Sequence, residues 1–173
     1  PMVKCCYSKE YASTNSMWTL LNCRNLIEKQ DFILLESDLV FEKMAITGLL
    51  EDQHKNIMLC SDVTKFQDSY FIEYDDEKYL MNCSTNESEL NVCGELVGIH
   101  KIDYGFYTKL CEYYDKIKEI QPKMGYEYAM LHIAKSESKL FVLKIPELLW
   151  YEIDDIVDLA VAEKLLLTRN SKN

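Results

Sequence analysis

Short apolar runs, each bounded by charged or polar residues, alternate along the chain with stretches whose apolar residues recur every three to four positions. The first pattern is typical of buried β-strands and the second of amphipathic α-helices. Their alternation favours an α/β layer in which helices cover a mixed sheet. We predict strands over residues 3–7, 32–36, 57–60, 70–74, 78–83, 94–101, 140–144 and 150–153, and helices over residues 16–28, 41–50, 103–114, 127–134 and from 156 onward.

Local signals add detail to this outline. The short run at residues 32–36 is bounded by charge, which favours a central buried strand. The acidic segment 75–77 lies between two runs of strand character and predicts a β-hairpin inserted into the sheet. Asp103 and Asp155 precede helical stretches and are typical N-caps. No repeat or low-complexity segment interrupts the chain, so its 173 residues are predicted to form a single domain, 1–173.

Two acidic motifs follow apolar runs that lie far apart in the sequence. The first is residues 32–38 (FILLESD) and the second is residues 149–155 (LWYEIDD). In α/β sheets, ligands bind outside the carboxyl ends of the strands. Asp38 and Asp154 can converge there on a hard cation such as Mg²⁺, which prefers oxygen ligands. Spacing alone fits equally well with two unrelated acids at strand ends, and Glu36 is interpreted as a neighbouring acid without metal contact.

Composition and charge exclude several classes of protein. The net charge of −10 argues against nucleic-acid binding, because that function leaves a basic patch. The apolar runs are far shorter than the roughly 18 residues of a membrane span, and no signal peptide is visible, so we expect a cytoplasmic protein. The seven cysteines contain no C-x-x-C pair, which favours reduced thiols over a zinc site. The five glycines form no phosphate-binding loop.

Four segments resemble the motifs of one enzyme family, in that family's order. The segments are residues 11–20 (YASTNSMWTL), 31–42 (DFILLESDLVFE), 94–101 (GELVGIHK) and 150–163 (WYEIDDIVDLAVAE). They resemble "Y-x-x-T-N-x-x-S-L", "D-F-L-L-L-E-G-D-V-V-F-E", "G-E-x-V-G-I-x-K" and "W-x-E-I-D-x-x-x-D-L-x-x-A-E" of the phosphocholine cytidylyltransferase-like branch of the sugar-nucleotidyltransferases. The four motifs together extend over nearly the whole chain.

The resemblance implies a fold and also a departure from it. The implied fold is a Rossmann-like mixed sheet of the nucleotide-diphospho-sugar-transferase type, with flanking helices and an inserted β-hairpin. The family opens with a strand and a "G-x-G-x-R … P-K" loop that holds the nucleotide triphosphate, and nothing in this chain matches that loop. Pro1 then corresponds to a position about 60 to 80 residues into a typical member, so the N-terminal βα units are missing. The chain is either a C-terminal portion or a shortened homologue.

The resemblance implies Mg²⁺-dependent transfer of a cytidylyl group from CTP to a phosphorylated acceptor, with release of pyrophosphate. It assigns Asp38 and Asp154 as catalytic metal ligands and Glu152 as a third ligand. Thr14 and Asn15 match the family's T-N pair, which implies contact with nucleotide or substrate, although both residues also suit helix capping.

Aromatic and acidic residues suggest the nature of the acceptor. Residues 125–129 (GYEYA) resemble the family's "Y-Y-E-D-A" element. Tyr126, Glu127 and Trp150 then suit a cationic acceptor, since aromatic faces with a nearby carboxylate recognise quaternary ammonium groups. A phosphocholine-like molecule is favoured, and an aminoalkyl phosphate or phosphonate follows the same chemistry.

Two other functions stay open. One is a non-catalytic module of the same fold that binds a small ligand or a protein, which the missing loop favours. The other is a sugar-1-phosphate nucleotidyltransferase, which would use a different base and acceptor. A sheet without its first βα units would also expose an unpaired edge, so we expect formation of homo-oligomers through that edge, or low stability.

Overall fold

The described part of the chain contains eight strands, which form a six-stranded mixed sheet and a separate antiparallel pair. The computed structural model describes residues 3–64 and 69–170, and side chains as far as residue 165. The strands are β1 (Phe32–Leu35), β2 (Leu39–Phe41), β3 (Ile57–Ser61), β4 (Phe71–Tyr74), β5 (Leu80–Ser84), β6 (Gly94–Ile102), β7 (Phe141–Lys144) and β8 (Trp150–Glu152). The helices are α1 (Ser16–Asn22), α2 (Met44–Glu51), α3 (Tyr104–Ile117), α4 (Tyr126–Ser136) and α5 (Ile156–Asn170), with 3₁₀ turns at Cys23–Asn25 and Glu87–Glu89.

The long strand β6 organises the six-stranded sheet. Along one edge it pairs antiparallel with β3, which in turn pairs parallel with β7. Along its other edge it pairs antiparallel with two strands in succession, β4 near its beginning and β1 near its end. Strand β4 continues into a hairpin with β5. Strand β2 leaves the sheet and pairs with β8 instead.

Helices and the β2–β8 pair cover both faces of this sheet. Alternate residues of β3 point to opposite faces, and two hydrophobic clusters divide accordingly. Met58 and Cys60 belong to the larger cluster, which includes residues of α1, α3 and α4. Ile57 and Leu59 belong to the smaller cluster, with α2, β2 and β8. Strand β3 is therefore fully buried, as its continuous apolar sequence requires.

The predicted fold class is confirmed: a mixed sheet lies between flanking helices, and the hairpin of β4 and β5 is inserted where the acidic turn predicted it. Two predicted N-caps are present as well. Asp103 Oδ1 accepts a hydrogen bond from the backbone N–H of Phe106 (2.6 Å). Asp155 Oδ1 accepts from the backbone N–H groups of Val157 (2.7 Å) and Asp158 (3.0 Å).

Several predicted boundaries are wrong near the start of the chain. Residues 3–7 are exposed and form no strand. Lys4 instead forms an ion pair with Glu28, in the segment between α1 and β1. The predicted helix 16–28 stops at Asn22 and is followed by the 3₁₀ turn Cys23–Asn25. It could not include Glu28, because Glu28 and Lys29 adopt positive φ angles of 51° and 59°. These angles belong to the left-handed region, which a right-handed helix cannot continue.

Two further differences concern exposure. Strand β1 is not central: in the described residues it pairs only with β6, so its second edge has no strand partner. The predicted apolar face of α5 is largely exposed, with Ile156 at 76% and Leu159 at 40%, while Ala162 is buried. The side chains of residues 166 and 167, which belong to the same prediction, lie outside the described residues. None of the described helices is both long and apolar enough to cross a membrane.

The open edge of β1 predicts self-association that one charge should reduce. Leu35 ends this strand and is 42% exposed, so Leu35→Lys changes the edge at little cost to the core. A lysine on an open edge opposes strand pairing, and we expect the oligomeric fraction to fall in light scattering after size exclusion. Leu50→Lys, at a 62% exposed position of α2, is the control and should change little. A wild-type chain that is a monodisperse monomer and melts cooperatively would contradict this prediction.

Candidate metal and substrate site

Along one edge of β6, the pairing strand changes from β4 to β1. The sheet is divided at this point, between the end of β1 and the beginning of β4. On one side of the division, the backbone N–H of Glu36 donates to the carbonyl of Gly98 (3.1 Å). On the other side, the N–H of Leu96 donates to the carbonyl of Tyr70 (2.9 Å). Gly98 has a φ of +74°, and a Cβ there would lie 2.1 Å from Glu36 Oε2, so only glycine fits.

A cavity of about 100 Å³ opens at this division. Its walls combine acids, aromatic rings and the backbone of β6 between the two pairing strands. Trp150 from β8 closes one side, is 6% exposed, and donates its indole N–H to Ser61 Oγ (2.8 Å). The lining residues are Glu36, Ser69, Tyr70, Glu95, Leu96, Val97, Gly98, Trp150 and Glu152.

Three carboxylates meet beside this cavity. One oxygen from each of Glu36, Asp38 and Glu152 lies within 4.8 Å of the others. The pairing of β2 with β8 causes this convergence, since Leu39 is opposite Glu152 and the N–H of Ile153 donates to the carbonyl of Asp38 (2.9 Å). Glu36 reaches the same point from the end of β1, two residues before Asp38.

The charges in this cluster are poorly compensated. Asp38 Oδ1 is buried and has no hydrogen-bond partner in the described part of the protein. The pKa of Glu36 is raised, first by burial and then by the charges of Asp38 and Asp154, against the hydrogen bond from Tyr126, which lowers it. Like charges held together in a partly buried site are unfavourable unless a cation offsets them.

The donor set fits a magnesium ion in its chemistry. Mg²⁺ takes oxygen ligands at about 2.0–2.1 Å in octahedral geometry, which places ligand oxygens about 3 to 4 Å apart. Oxygens within 4.8 Å of one another need only a small approach to reach that spacing. Water and phosphate oxygens ordinarily complete such a shell.

Two of the three predicted metal ligands lie in the carboxylate cluster, and the third does not. Asp38 and Glu152 lie together in the cluster, whereas the exposed Asp154 does not join the group of three. The backbone N–H of Asp154 donates to Asp158 Oδ2 (3.1 Å), which fixes its position at the start of α5. Its carboxylate is still near enough to raise the pKa of Glu36.

From the sequence, Glu36 is predicted to be an acid without metal contact. The structure instead places its carboxylate in the cluster. Two signals were available: its spacing of two residues from Asp38, and Gly98 inside an otherwise apolar strand, which often marks a bulge or a close approach.

A further acid near the site, Glu127, lies in the first turn of α4. It is 5% exposed, and its Oε2 has no hydrogen-bond partner in the part of the chain that the structure describes. Burial is the largest cause that raises its pKa to about 7, with a further contribution from the charge of Glu36. The aromatic rings of Tyr70 and Tyr128 meet edge to face nearby, with centroids 5.7 Å apart.

Gly125 and Tyr126 complete the wall around the two acids. A Cβ on Gly125 would lie 2.2 Å from Glu127 Oε2, so a larger residue here would displace the Glu127 carboxyl group. Tyr126 is 3% exposed and donates its hydroxyl proton to Glu36 Oε1 (2.6 Å). Tyr126 therefore lies between the carboxylate cluster and Glu127.

Thr14 and Asn15 make hydrogen bonds within the chain, and one of them is long-range, from Asn15 Nδ2 to the carbonyl of Lys123 (3.4 Å). Asn15 Oδ1 caps α1 by accepting from the N–H of Ser16 (2.7 Å), and Thr14 Oγ1 donates to the carbonyl of Glu10 (2.7 Å). The start of α1 still lies close to the site, since Ser16 Oγ accepts from the N–H of Tyr126 (3.0 Å).

Another buried acid, Glu95, has a structural role that the sequence did not indicate. Its Oε2 accepts hydrogen bonds from Thr64 N–H (2.6 Å) and Oγ1 (2.8 Å), and its Oε1 accepts from Ser69 Oγ (2.7 Å). These bonds satisfy the carboxylate and attach residues 64 and 69 to β6.

This chain is similar in fold to solved structures of nucleotidyltransferases, while no family model matches it. The inositol-1-phosphate CTP transferase from T. maritima superposes with a TM-score of 0.74 at 14% identity, over 91% of this chain and 63% of that protein. The CTP:phosphocholine cytidylyltransferase from Streptococcus pneumoniae gives a TM-score of 0.72 at 16% identity, over 92% of this chain and 67% of that protein. These similarities establish the fold.

The raised pKa of Glu127 predicts a pH-dependent stability. The folded state retains the proton up to about pH 7, whereas the unfolded chain loses it near 4.5, so the free energy of unfolding falls as pH rises through this window. The loss is roughly 3 kcal/mol at about 1.4 kcal/mol per pKa unit. In urea titrations at pH 4.5 and 7.5, Glu127→Gln should remove this decline.

Glu163→Gln on the exposed surface of α5 is the matched control and should leave the decline in place. A difference between wild type and Glu127→Gln that stays constant with pH would contradict the prediction.

Proposed function

We propose that this chain supplies the metal-binding and acceptor-binding side of a Mg²⁺-dependent nucleotidyltransferase. The proposed reaction moves a cytidylyl group from CTP to a phosphocholine-like or other aminoalkyl phosphate or phosphonate acceptor and releases pyrophosphate. The observation that carries the proposal is the convergence of Glu36, Asp38 and Glu152 within 4.8 Å, with a buried, unpartnered oxygen on Asp38. Two structures with this fold are CTP-using enzymes and a third is a sugar-phosphate thymidylyltransferase, so the proposal of CTP rests on the motif resemblance.

The proposed metal ligands are Asp38, Glu152 and Glu36, with Asp154 adding negative charge beside them. When bound, Mg²⁺ supplies charge neutralisation at phosphate oxygens. The carboxylates contribute by holding that charge at one fixed place in the cavity wall. Asp38 and Glu152 are well suited to this, because the backbone pairing of β2 with β8 fixes both of their Cα positions.

The protein needs no general base for the proposed transfer. A phosphomonoester acceptor is already largely dianionic near neutral pH, with a second pKa of about 6. An oxygen of the acceptor forms a bond to the α-phosphorus of CTP, and the bond from that phosphorus to the pyrophosphate oxygen breaks. The residues of this chain therefore act by positioning the acceptor and excluding water, which is the main contribution of protein in phosphoryl transfer.

The proposed acceptor group is cationic because of the environment of Glu127. This carboxyl group is buried beside Tyr70 and Tyr128, and one of its oxygens lacks a partner. A quaternary ammonium or amine would hold Glu127 ionised and contact the aromatic faces. A neutral sugar carries no charge that would stabilise the ionised form of this buried group, so a phosphocholine-like acceptor is favoured over a sugar-1-phosphate.

A second candidate function is a non-catalytic module of the same fold that binds a small cationic ligand. The same buried Glu127 with its aromatic neighbours favours it, since this group recognises a cation without any metal. For either function we propose a cytoplasmic location, which suits seven cysteines that are all free thiols in the structure.

Replacing Asp38 separates the two functions. Asp38→Asn keeps the size of the side chain and removes one of the clustered charges. We expect Mg²⁺ affinity, measured by titration calorimetry, to fall at least tenfold, since even residues that only orient metal ligands change affinity by 10- to 100-fold. Asp76→Asn, in the exposed β4–β5 turn, is the matched control.

Phosphocholine binding by the wild type and the same variants then decides between the enzyme and the non-catalytic module. Retained phosphocholine binding without any Mg²⁺ binding in the wild type would favour the non-catalytic module. Wild-type protein that binds neither Mg²⁺ nor phosphocholine would overturn the proposal.

A further inference from the structure

Glu36 is held by an unusual set of contacts for a carboxylate at a strand end. Its backbone N–H bonds to the carbonyl of Gly98, and its Oε2 lies where a side chain on residue 98 would otherwise be. The positive φ of Gly98 is thus linked to the position of the Glu36 side chain. Glycine leaves room for the carboxylate but provides no group that fixes its orientation.

The hydroxyl of Tyr126 provides that orientation from the opposite side. It donates to Glu36 Oε1 at 2.6 Å, which is short for a hydrogen bond and typical of a charged acceptor. Tyr126 is itself fixed at the start of α4, where its backbone N–H donates to Ser16 Oγ and its ring is 3% exposed. The tyrosine hydroxyl therefore approaches Glu36 from a rigid helix terminus.

His100 extends this arrangement into the interior of the sheet. It is fully buried on β6, opposite Leu34 of β1, and its Nε2 lies 3.2 Å from the hydroxyl oxygen of Tyr126. The two rings meet edge to face with centroids 5.2 Å apart. No partner for His100 Nδ1 occurs in the described residues.

The protons of this chain of hydrogen bonds can be assigned. Tyr126 has a single hydroxyl proton, which goes to the Glu36 carboxylate, so its oxygen can only accept from His100. The imidazole nitrogen that faces Tyr126 must then carry the hydrogen. Nδ1 is left without one, because burial lowers the pKa of His100 to about 3 and keeps the ring neutral. The bonds run in one direction, from His100 Nε2–H to Tyr126 O–H to Glu36 Oε1.

We infer that Tyr126 and His100 are positioning residues that hold the Glu36 carboxylate in the cluster with Asp38 and Glu152. This inference rests on the metal site of the proposed function. Three neighbouring carboxylates repel one another, and a glutamate side chain has three rotatable bonds with which to turn away. The Tyr126 hydroxyl occupies one oxygen of Glu36 and leaves the rest of the carboxylate for a cation. The site is then organised before the metal binds, which reduces the cost of binding.

The test measures Mn²⁺ binding by electron paramagnetic resonance, with the 173-residue chain and without nucleotide. Tyr126→Phe removes only the hydroxyl and should lower Mn²⁺ affinity about 10- to 100-fold, the range for residues that orient metal ligands. Tyr107→Phe is the matched control, because its buried hydroxyl donates to the carbonyl of Leu20 (2.8 Å) away from the cluster. It should leave Mn²⁺ affinity unchanged even if stability falls.

A second pair of variants tests His100 in case Tyr126→Phe folds poorly. His100→Gln retains an N–H donor near the position of Nε2, whereas His100→Leu removes it. We expect His100→Gln to bind Mn²⁺ several-fold more tightly than His100→Leu. A purely structural role for His100 would instead change the melting temperatures without separating the two affinities.

The outcomes distinguish this inference from the proposed function. Suppose that the wild type binds Mn²⁺. If Tyr126→Phe then binds Mn²⁺ with the same affinity as the wild type, or if Tyr107→Phe loses as much affinity as Tyr126→Phe, the positioning role is overturned and the metal site stands. Equal affinities of the two His100 variants would likewise overturn it. Wild-type protein that binds no Mn²⁺ would overturn the metal site, and the positioning role with it.

Discussion

The hydrogen bonding of β6 is the constraint on which the rest of the molecule depends. This strand uses one edge for β3 and divides its other edge between β4 and β1. The division needs a residue that bends the strand without a side chain, and Gly98 meets that requirement. Both the cavity and the approach of Glu36 to β6 follow from this one local departure from regular pairing.

A concentration of negative charge is the second organising feature, and it opposes folding. The chain carries a net charge of −10, and acids from β1, β8 and α4 are drawn into one region. Glu95 shows how the protein treats an acid that is purely structural, because each of its oxygens accepts hydrogen bonds. Asp38 and Glu127 are treated differently, since each has a buried oxygen with no partner within the described ranges. Unsatisfied buried acids of this kind are costly and are typical of binding sites.

Much of the fold could be predicted from the sequence, because most of its elements follow strong local signals. The continuous apolar run of β3, the acidic hairpin turn and the cap at Asp103 each have a local physical cause. The errors occurred where local signals were weak or misleading. Residues 3–7 have the composition of a strand but no neighbouring strand among the described residues. The position of β1 beside β6 depends on long-range pairing, which periodicity does not report.

The candidate site was partly predictable for a similar reason. The apolar runs predict Asp38 and Asp154 at one sheet edge, and the family resemblance adds Glu152. The β2–β8 pairing brings Asp38 and Glu152 together, while Asp154 stays outside the group of three. The place of Glu36 in the cluster and the link from His100 through Tyr126 were not predicted from the sequence. That link joins β6 to α4 across 26 positions of the sequence, so only the packing of the helix on the sheet creates it.

Trp150 gives the molecule a built-in optical reporter. The chain has two tryptophans, and Trp18 lies apart from the cavity, packed edge to face against Tyr114 of α3. Trp150 lines the cavity, and its indole N–H is fixed by Ser61. The emission wavelength of an indole responds to nearby charge, so a protein with phenylalanine in place of Trp18 would fluoresce from the cavity wall alone. Arrival of a cation or a phosphate there could then be followed in real time without any label.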